Sequence, residues 1–575
     1  VRPARAGALG LGGSTPARGF YLALVAAALA LGALSLLVPS TPSYDPWSWL
    51  LWGREIIHGH LTITTGGTSW KPLPMIFTIP FALAGRAAPD LWLVVARAGI
   101  VASVVLSFRL AYRLTRRVGG LFAPSPDVDA GSYAGGAANA SVARSLVLAP
   151  AILAGLIAAV SLGLSASGGF ISSNALGYSE ALATALLLVS VDRLLDGRPR
   201  QAFAVGFFVA LDRPEIWLFW GLLGLWLLWK DPGARAAVIG SAVLVLALWF
   251  VPVKLGCGQF SCSVTRAAHP RSNSLAFASN PFEAELSQAA WPTMLLRLKV
   301  VAALLVAAVV GLLLYARAAR ARGATAASAL RTAQGRARLF TALLVIGGLA
   351  WFVVIAAMTQ IGFSGNNRYL VLGSALVDIA AAVGFGWAAR ELAALGWRAL
   401  PGGSPARKQD SRALQGTGAA RGTRTLGSRA GLLGTACAAL LALLFMFGPN
   451  WVGSNLISIP RTHGSLVYQA HLRQGLNRLV TRFGGPNKVL ACGSVMTEGF
   501  QVPMVAWTLG VATPRIEAPP HSAAPASAGP APNVILQTRD TRSASLLPVL
   551  ASWPAVHYHY AGTSGPIHMF THCVG

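Results

Sequence analysis

The chain has 575 residues, 54% of them hydrophobic and 11% charged, with a mean hydropathy of +0.58 and a formal charge of +27. Soluble domains carry about a quarter charged residues, so this composition excludes an ordinary soluble protein and points to an integral membrane protein. It argues against nucleic-acid binding as well, because the arginines cluster in short links between apolar runs, where positive charge sets membrane orientation, and no recognition motif accompanies them.

Apolar runs approaching the ~20 residues needed to cross the hydrocarbon recur along the chain. The first, 20–39, follows Arg2, Arg5 and Arg18, which place residues 1–18 in the cytoplasm. It delivers a first outer loop, 40–90. Within that loop, the stretch from Ser43 to Leu73 sets Asp45, Arg54, Glu55, His58, His60 and Lys71 among Trp47, Trp49, Trp52 and Trp70. So many ionisable groups beside amphipathic rings fit a segment at the membrane-water boundary that handles something polar. The run 91–110 returns to a cytoplasmic cluster of Arg109, Arg113, Arg116 and Arg117, and a Gly/Ala/Ser/Pro-rich linker reaches 140. Span three, 146–164, goes out again, and the link SASGGFISSNALGYSE presents Glu180 at the outer mouth of span four. The apolar stretch 202–229 is broken by LDRPE. Pro214 lacks the amide proton of a continuous helix, so the stretch reads as two short spans meeting at an outward turn that carries Arg213 and Glu215.

The run 236–253 leads to an outer loop, 254–292, holding Cys257 and Cys262. The run 300–314 comes back, 339–357 goes out to the turn GFSGNNRYL with Arg368 and Tyr369, and 369–389 returns. A basic cytoplasmic linker covers 390–431, and 432–447 carries the chain outward. The expected fold is mainly α: a polytopic membrane protein of about eleven transmembrane helices over 19–449, with a large first outer loop. A small C-terminal α/β domain outside the membrane is expected at 450–575. In it, 463–483 reads as a helix and KVLACGS, NVILQT, AVHYHYAG and PIHMFTHC as short strands. If both outer regions face an oxidising exterior, Cys257 with Cys262 and Cys492 with Cys573 are two disulfides; free buried thiols are the alternative.

With this topology Asp45, Glu55, Lys71, Glu180, Arg213, Glu215 and Arg368 gather at one depth from four loops. Convergence of carboxylates and cations there is the pattern of a site, since isolated charges are costly. Pairing or snorkelling at the interface is the plainer explanation for any one of them. Asp378, inside the tenth apolar run, has no basic neighbour in sequence and no assigned role. His58 and His60 lack a nearby third ligand for zinc.

Asp45, then Lys71 and Pro72 in SWKPLP, then an apolar run ending at Gly85 together resemble the first-loop pattern of the multi-spanning glycosyltransferases of the C superfamily. The protein O-mannosyltransferase and aminoarabinose-transferase branch is the nearest. Glu180 is similar to that branch's carboxylate at the outer end of a later helix, LDRPE to its break between two short helices, and Arg368-Tyr369 to an Arg-Tyr element on a late outer turn. The chain departs from the pattern where the acidic pair is reduced to Asp45-Pro46 and where Leu73 replaces the second proline of Lys-Pro-Pro-Leu.

The resemblance implies a transferase at the outer face of a bacterial plasma membrane, moving a sugar from a polyprenyl-phosphate donor to a glycan, lipid or protein acceptor. Such a transfer needs a carboxylate to deprotonate the acceptor hydroxyl and cations to hold the leaving phosphate. Asp45 is the expected base, with Glu180 as its catalytic companion. Lys71, Arg213 and Arg368 are the expected phosphate contacts, arginine being suited to bidentate binding and lysine acting as a point charge. Glu55, Glu215, Tyr369 and Trp70 are expected to hold the acceptor or orient the cations. A divalent cation is left open, because some members of the superfamily use one and others do not. Two other classes compete: a transporter or lipid-linked-sugar flippase, with ionisable residues such as Asp192 and Asp378 near the midplane, and a non-catalytic envelope assembly protein.

Overall fold

The computed structural model describes residues 17–63, 68–118, 136–164, 169–268, 270, 274–289, 325, 332–399, 457–519, 530–538, 553 and 555–573. The runs expected at 300–314 and 432–447 lie outside them, as does the linker beyond 399. Among the described residues, five stretches are long and apolar enough to cross a membrane: Arg18–Leu37, Gly85–Arg117, Pro232–Cys257, Ala333–Gln360 and Asn367–Glu391.

The body begins with α1 (Ala17–Leu34), α2 (Tyr44–Ile57), α3 (Pro72–Ala82), α4 (Ala88–Val118) and α5 (Gly136–Leu164). After them come α6 (Phe170–Ala175), α7 (Glu180–Leu195), α8 (Pro199–Ala210), α9 (Trp217–Lys230), α10 (Arg235–Cys257), α11 (Cys262–Ala267) and α12 (Pro281–Ala289). Two long helices, α13 (Ala333–Gln360) and α14 (Val371–Ala399), complete it. Leu106, Leu110 and Leu114 recur every fourth residue on α4, so they form one apolar face, and they are buried in a core shared with Ala154 and Ala158 of α5 and Ala382 of α14. Small residues let helices approach: a Cβ at Gly99 of α4 would lie 2.6 Å from the Leu182 backbone nitrogen of α7.

The stretch read as a first outer loop is a helical hairpin of α2 and α3. A Cβ at Gly53 would lie 2.5 Å from the Thr78 carbonyl oxygen, so a larger residue there would force the two helices apart. Trp47, Trp49, Trp52 and Trp70 are buried in this hairpin rather than spread along an interface.

The C-terminal region packs α15 (Ile459–Arg482), α16 (Pro486–Cys492) and α17 (Val502–Leu509) with a five-stranded sheet. Its strands are β1 (Val495–Thr497), β2 (Ile516–Glu517), β3 (Val534–Thr538), β4 (His559–Ser564) and β5 (Ile567–Thr571), in the order β2-β1-β3-β5-β4. β1 runs parallel to β2 and β3, and β5 is antiparallel to β3 and β4. Most of KVLACGS is helical, because Pro486 starts a helix at its first turn and the strand begins only at Val495. AVHYHYAG becomes a strand only from His559.

This domain sits on α2. The Arg54 guanidinium donates to the carbonyls of Trp507 (3.0 Å) and Val511 (2.9 Å) at the C-terminal end of α17 and lies over the Trp507 ring at 4.8 Å. A cation there complements the negative end of the helix dipole. Trp47 packs on Trp507 and Tyr44 on Phe500. Arg54→Ala removes charge-assisted bonds worth about 1.5–3 kcal/mol each before solvent replaces them. The expected result is faster proteolytic release of the C-terminal domain than in the wild type; unchanged cleavage would show that the aromatic contacts alone hold it.

Candidate active site at one end of the helix bundle

Two of the site's cations are aimed by the same local device. Lys71 and Arg213 each precede a proline, which disfavours the helical region for the residue ahead of it. Both are extended, at φ −141°, ψ 120° and φ −134°, ψ 106°, and each proline then opens a helix or a 3-10 turn. Five helix starts meet at this place. They are α2 with Asp45, α3 behind Lys71, α7 with Glu180, the 3-10 turn Pro214–Ile216 leading into α9, and the 3-10 turn Asn367–Leu370 leading into α14. Helix N-termini present partial positive charge and unpaired N–H groups, so this end of the bundle suits anions. Backbone bonds lock the segments together: Leu73 N–H donates to Leu211 at 3.0 Å and Ser43 N–H to Leu176 at 2.9 Å.

The side chains form one ion-pair network. Arg368 donates from Nη2 to Asp45 Oδ2 at 2.8 Å, and its Nη1 lies 3.7 Å from Glu180 Oε1. Arg213 Nη2 donates to the same Glu180 oxygen. Arg213 also faces Asp212 (Nε to Oδ2, 3.7 Å) and Glu215 (Nη1 to Oε1, 3.8 Å). Lys71 Nζ donates to Ser179 Oγ at 3.1 Å, stands 3.8 Å from Asp212 Oδ1 and lies over the Trp49 ring at 5.3 Å. Tyr178 and Tyr369 face the Arg368 guanidinium at 4.2 and 5.3 Å, and Arg213 faces Tyr369 at 4.7 Å. Burial first, and the Asp45 carboxylate second, push the Tyr178 phenol upward, so it stays a neutral hydroxyl. The Thr68 hydroxyl donates to Asp45 Oδ1 at 3.4 Å.

Access differs sharply within the network. The side chains of Asp45, Lys71 and Arg368 are 13%, 14% and 20% exposed, whereas Arg213 is 3% exposed and Glu180 and Asp212 are buried. The first three are the members open to solvent. Arg368 Nη1 makes no hydrogen bond, nor do Glu180 Oε2, Glu215 Oε2 or either Asp212 oxygen, although all are buried. Unmade bonds of this kind mark groups held for a partner or for strain rather than for stability.

Of the residues anticipated, Asp45, Lys71, Glu180, Arg213, Glu215, Arg368 and Tyr369 come together. Glu55 and Trp70 do not join them. Asp45 and Glu55 sit ten residues apart on one helix, a separation of about 15 Å at 1.5 Å per residue. Glu55 accepts the Thr62 N–H at 2.8 Å, and burial pushes its carboxyl upward. The Trp70 indole donates to Leu248 at 3.0 Å and packs on Trp52. Asp212 and Tyr178 were not anticipated as site residues; each lies within two residues of one that was, Arg213 and Glu180 respectively. Among the described residues, no three His, Cys, Asp or Glu converge as metal ligands. The structure joins Cys257 to Cys262 and Cys492 to Cys573.

Two other buried carboxylates have different surroundings. Asp192 lies twelve residues beyond Glu180 on α7, about 18 Å away. It is held by Arg109 (3.1 Å), Arg113, Arg193 (3.0 Å) and the Tyr21 hydroxyl, so it ties α1, α4 and α7 together. Glu285 of α12 is fully buried, with neither oxygen hydrogen-bonded, and a Cβ at Gly365 would lie 2.3 Å from it. Burial pushes its carboxyl up to about 7. A carboxyl raised on folding binds its proton more tightly in the folded state, so stability is lost as pH rises from the ordinary carboxylate range to about 7. The loss amounts to roughly 3 kcal/mol at 1.36 kcal/mol per pH unit. Glu285→Gln is expected to flatten the fall in melting temperature between pH 5 and 8; a wild-type protein with no such fall would refute the assignment.

Together these features define a polytopic helical protein with a charged, partly accessible site at one end of its bundle. No protein-family model and no curated protein matches the chain. Among solved structures, it is similar to the crystal structure of ArnT from Cupriavidus metallidurans bound to undecaprenyl phosphate, at 13% identity and a TM-score of 0.45 over 96% of this chain and 98% of that one.

Proposed function

We propose that the chain is a membrane glycosyltransferase that moves a sugar from a polyprenyl-phosphate donor to a glycan, lipid or protein acceptor at the outer face of a bacterial plasma membrane. The observation that carries this reading is the meeting of Asp45, Lys71 and Arg368, the accessible members of the network, at five helix N-termini. Lys71 and the Arg368 guanidinium, once it turns from Asp45, hold the donor phosphate. As Arg368 turns to the phosphate, it releases Asp45 Oδ2, which accepts the proton of the acceptor hydroxyl. The acceptor oxygen bonds to the anomeric carbon, the bond from that carbon to the phosphate oxygen breaks, and the electron pair leaves with the phosphate. Arg213, which donates directly to Glu180 and is only 3% exposed, acts here as the clamp that fixes Glu180 and Glu215 rather than as a phosphate ligand. Glu180 holds Arg213 and Arg368 in register. In this reading the C-terminal domain, which packs on α2 through Trp47–Trp507 and Tyr44–Phe500, lies on the outer side and receives the acceptor.

A transporter reading needs ionisable groups near the midplane; of its two candidates, Asp192 is neutralised by arginines at the far end of α7, and Asp378 is buried in α14 with its Oδ1 making no hydrogen bond. The test is transfer of labelled sugar from polyprenyl-phosphate donors to envelope glycan by the purified protein. Absence of turnover with every donor, in a protein that is folded, would overturn the reading.

A further inference from the structure

In this network Lys71 stands out of hydrogen-bonding reach of every carboxylate. Its one hydrogen bond is to a neutral oxygen, Ser179 Oγ at 3.1 Å, and the nearest countercharge, Asp212 Oδ1, is 3.8 Å away, beyond hydrogen-bonding reach. Asp212 is fully buried, neither of its oxygens makes a hydrogen bond, and it lies between two cations, with Oδ1 toward Lys71 and Oδ2 3.7 Å from Arg213 Nε. Its place relative to Lys71 is fixed by backbone: Leu73 N–H donates to the carbonyl of Leu211, the residue before Asp212, so the Lys-Pro-Leu segment and the LDRPE turn lie side by side. An ammonium has three N–H donors. One is on Ser179, and the spacing to Asp212 keeps the other two uncommitted. A carboxylate in direct contact would have occupied one of them.

We propose that Asp212 is a positioning residue for anion binding: it holds the Lys71 ammonium in place at a distance that leaves its N–H groups for a phosphate oxygen. The contrast is Arg213, which touches Glu180 directly and is shut away from solvent. Two cations on neighbouring pre-proline positions thus take different tasks, and the difference is the distance to the nearest carboxylate. The phosphate is that of a polyprenyl phosphate, so the inference rests on the function proposed above.

Binding of sugar-free polyprenyl phosphate to the full-length protein in detergent tests the inference apart from that reading. Asp212→Asn should weaken binding at least tenfold and raise the donor KM similarly, with kcat changed by less than threefold, and Asp212→Glu should recover part of the loss. On a Lys71→Met background, Asp212→Asn should add no further weakening, because Asp212 acts through Lys71. Equal loss on both backgrounds, or a fall in kcat without a change in binding, would overturn the proposal. A wild type that binds polyprenyl phosphate but transfers no sugar would leave the positioning role supported and remove the transferase reading. A wild type that does not bind it overturns the positioning role.

Discussion

Asp45→Asn is expected to lower kcat for sugar transfer by about 10²–10⁴-fold, the range by which a positioned base accelerates proton transfer. The protein should remain folded, because Asp45 is partly exposed and its main partner, Arg368, keeps Glu180 within 3.7 Å. Donor KM should change little or fall, since Arg368 no longer has to leave a carboxylate to reach the phosphate. A drop in kcat without a rise in KM therefore separates lost base catalysis from lost binding. Transfer by the Asn variant at the wild-type rate would remove Asp45 from the reaction and direct attention to Glu180. That outcome would be surprising on access alone, since Glu180 is buried behind two arginines.

The site was legible in the sequence to the extent that topology alone could bring it together. Alternating apolar runs and arginine-rich links put Asp45, Lys71, Glu180, LDRPE and Arg368 at one depth, and the X-Pro pairs at Lys71 and Arg213 mark where helices begin. Depth, however, is one coordinate of three. Glu55 shares the stretch with Asp45 but is carried away by a helix whose periodicity was hidden under three tryptophans and two carboxylates. Asp212 shares its turn with Arg213, but only the pairing of Leu73 with Leu211 brings its carboxylate within 3.8 Å of Lys71. The tryptophans illustrate the same limit. Their amphipathic rings fit an interfacial belt, and instead they form the buried contact between α2, α3, α4 and the C-terminal domain. Composition favours a membrane boundary for such rings; the burial of Trp47 and Trp49 follows from a hairpin closed by Gly53 against Thr78, which composition does not encode.

Arg213→Met should be the most destabilising single change in the site. Its guanidinium is 3% exposed and faces Glu180, Asp212 and Glu215, so its removal leaves three carboxylates around a buried gap with only Lys71 and Arg368 nearby. Breaking a buried ion pair by removing one partner typically costs about 3–5 kcal/mol, because the stranded charge has lost its compensation. We expect a large drop in melting temperature at a fixed heating rate in detergent, together with low yield. Arg368→Met, at a more exposed position, should instead give a folded protein that has lost donor binding. Removing the stranded charge tests the cause: the double variant Arg213→Met, Glu180→Gln should regain part of the stability lost by the single one, as coupled neighbours do in a double-mutant cycle. If the double variant is additive, the loss comes from packing against Tyr369 rather than from charge. If Arg213→Met melts like the wild type, Arg213 is not the clamp, and the phosphate role first expected of it becomes the better assignment.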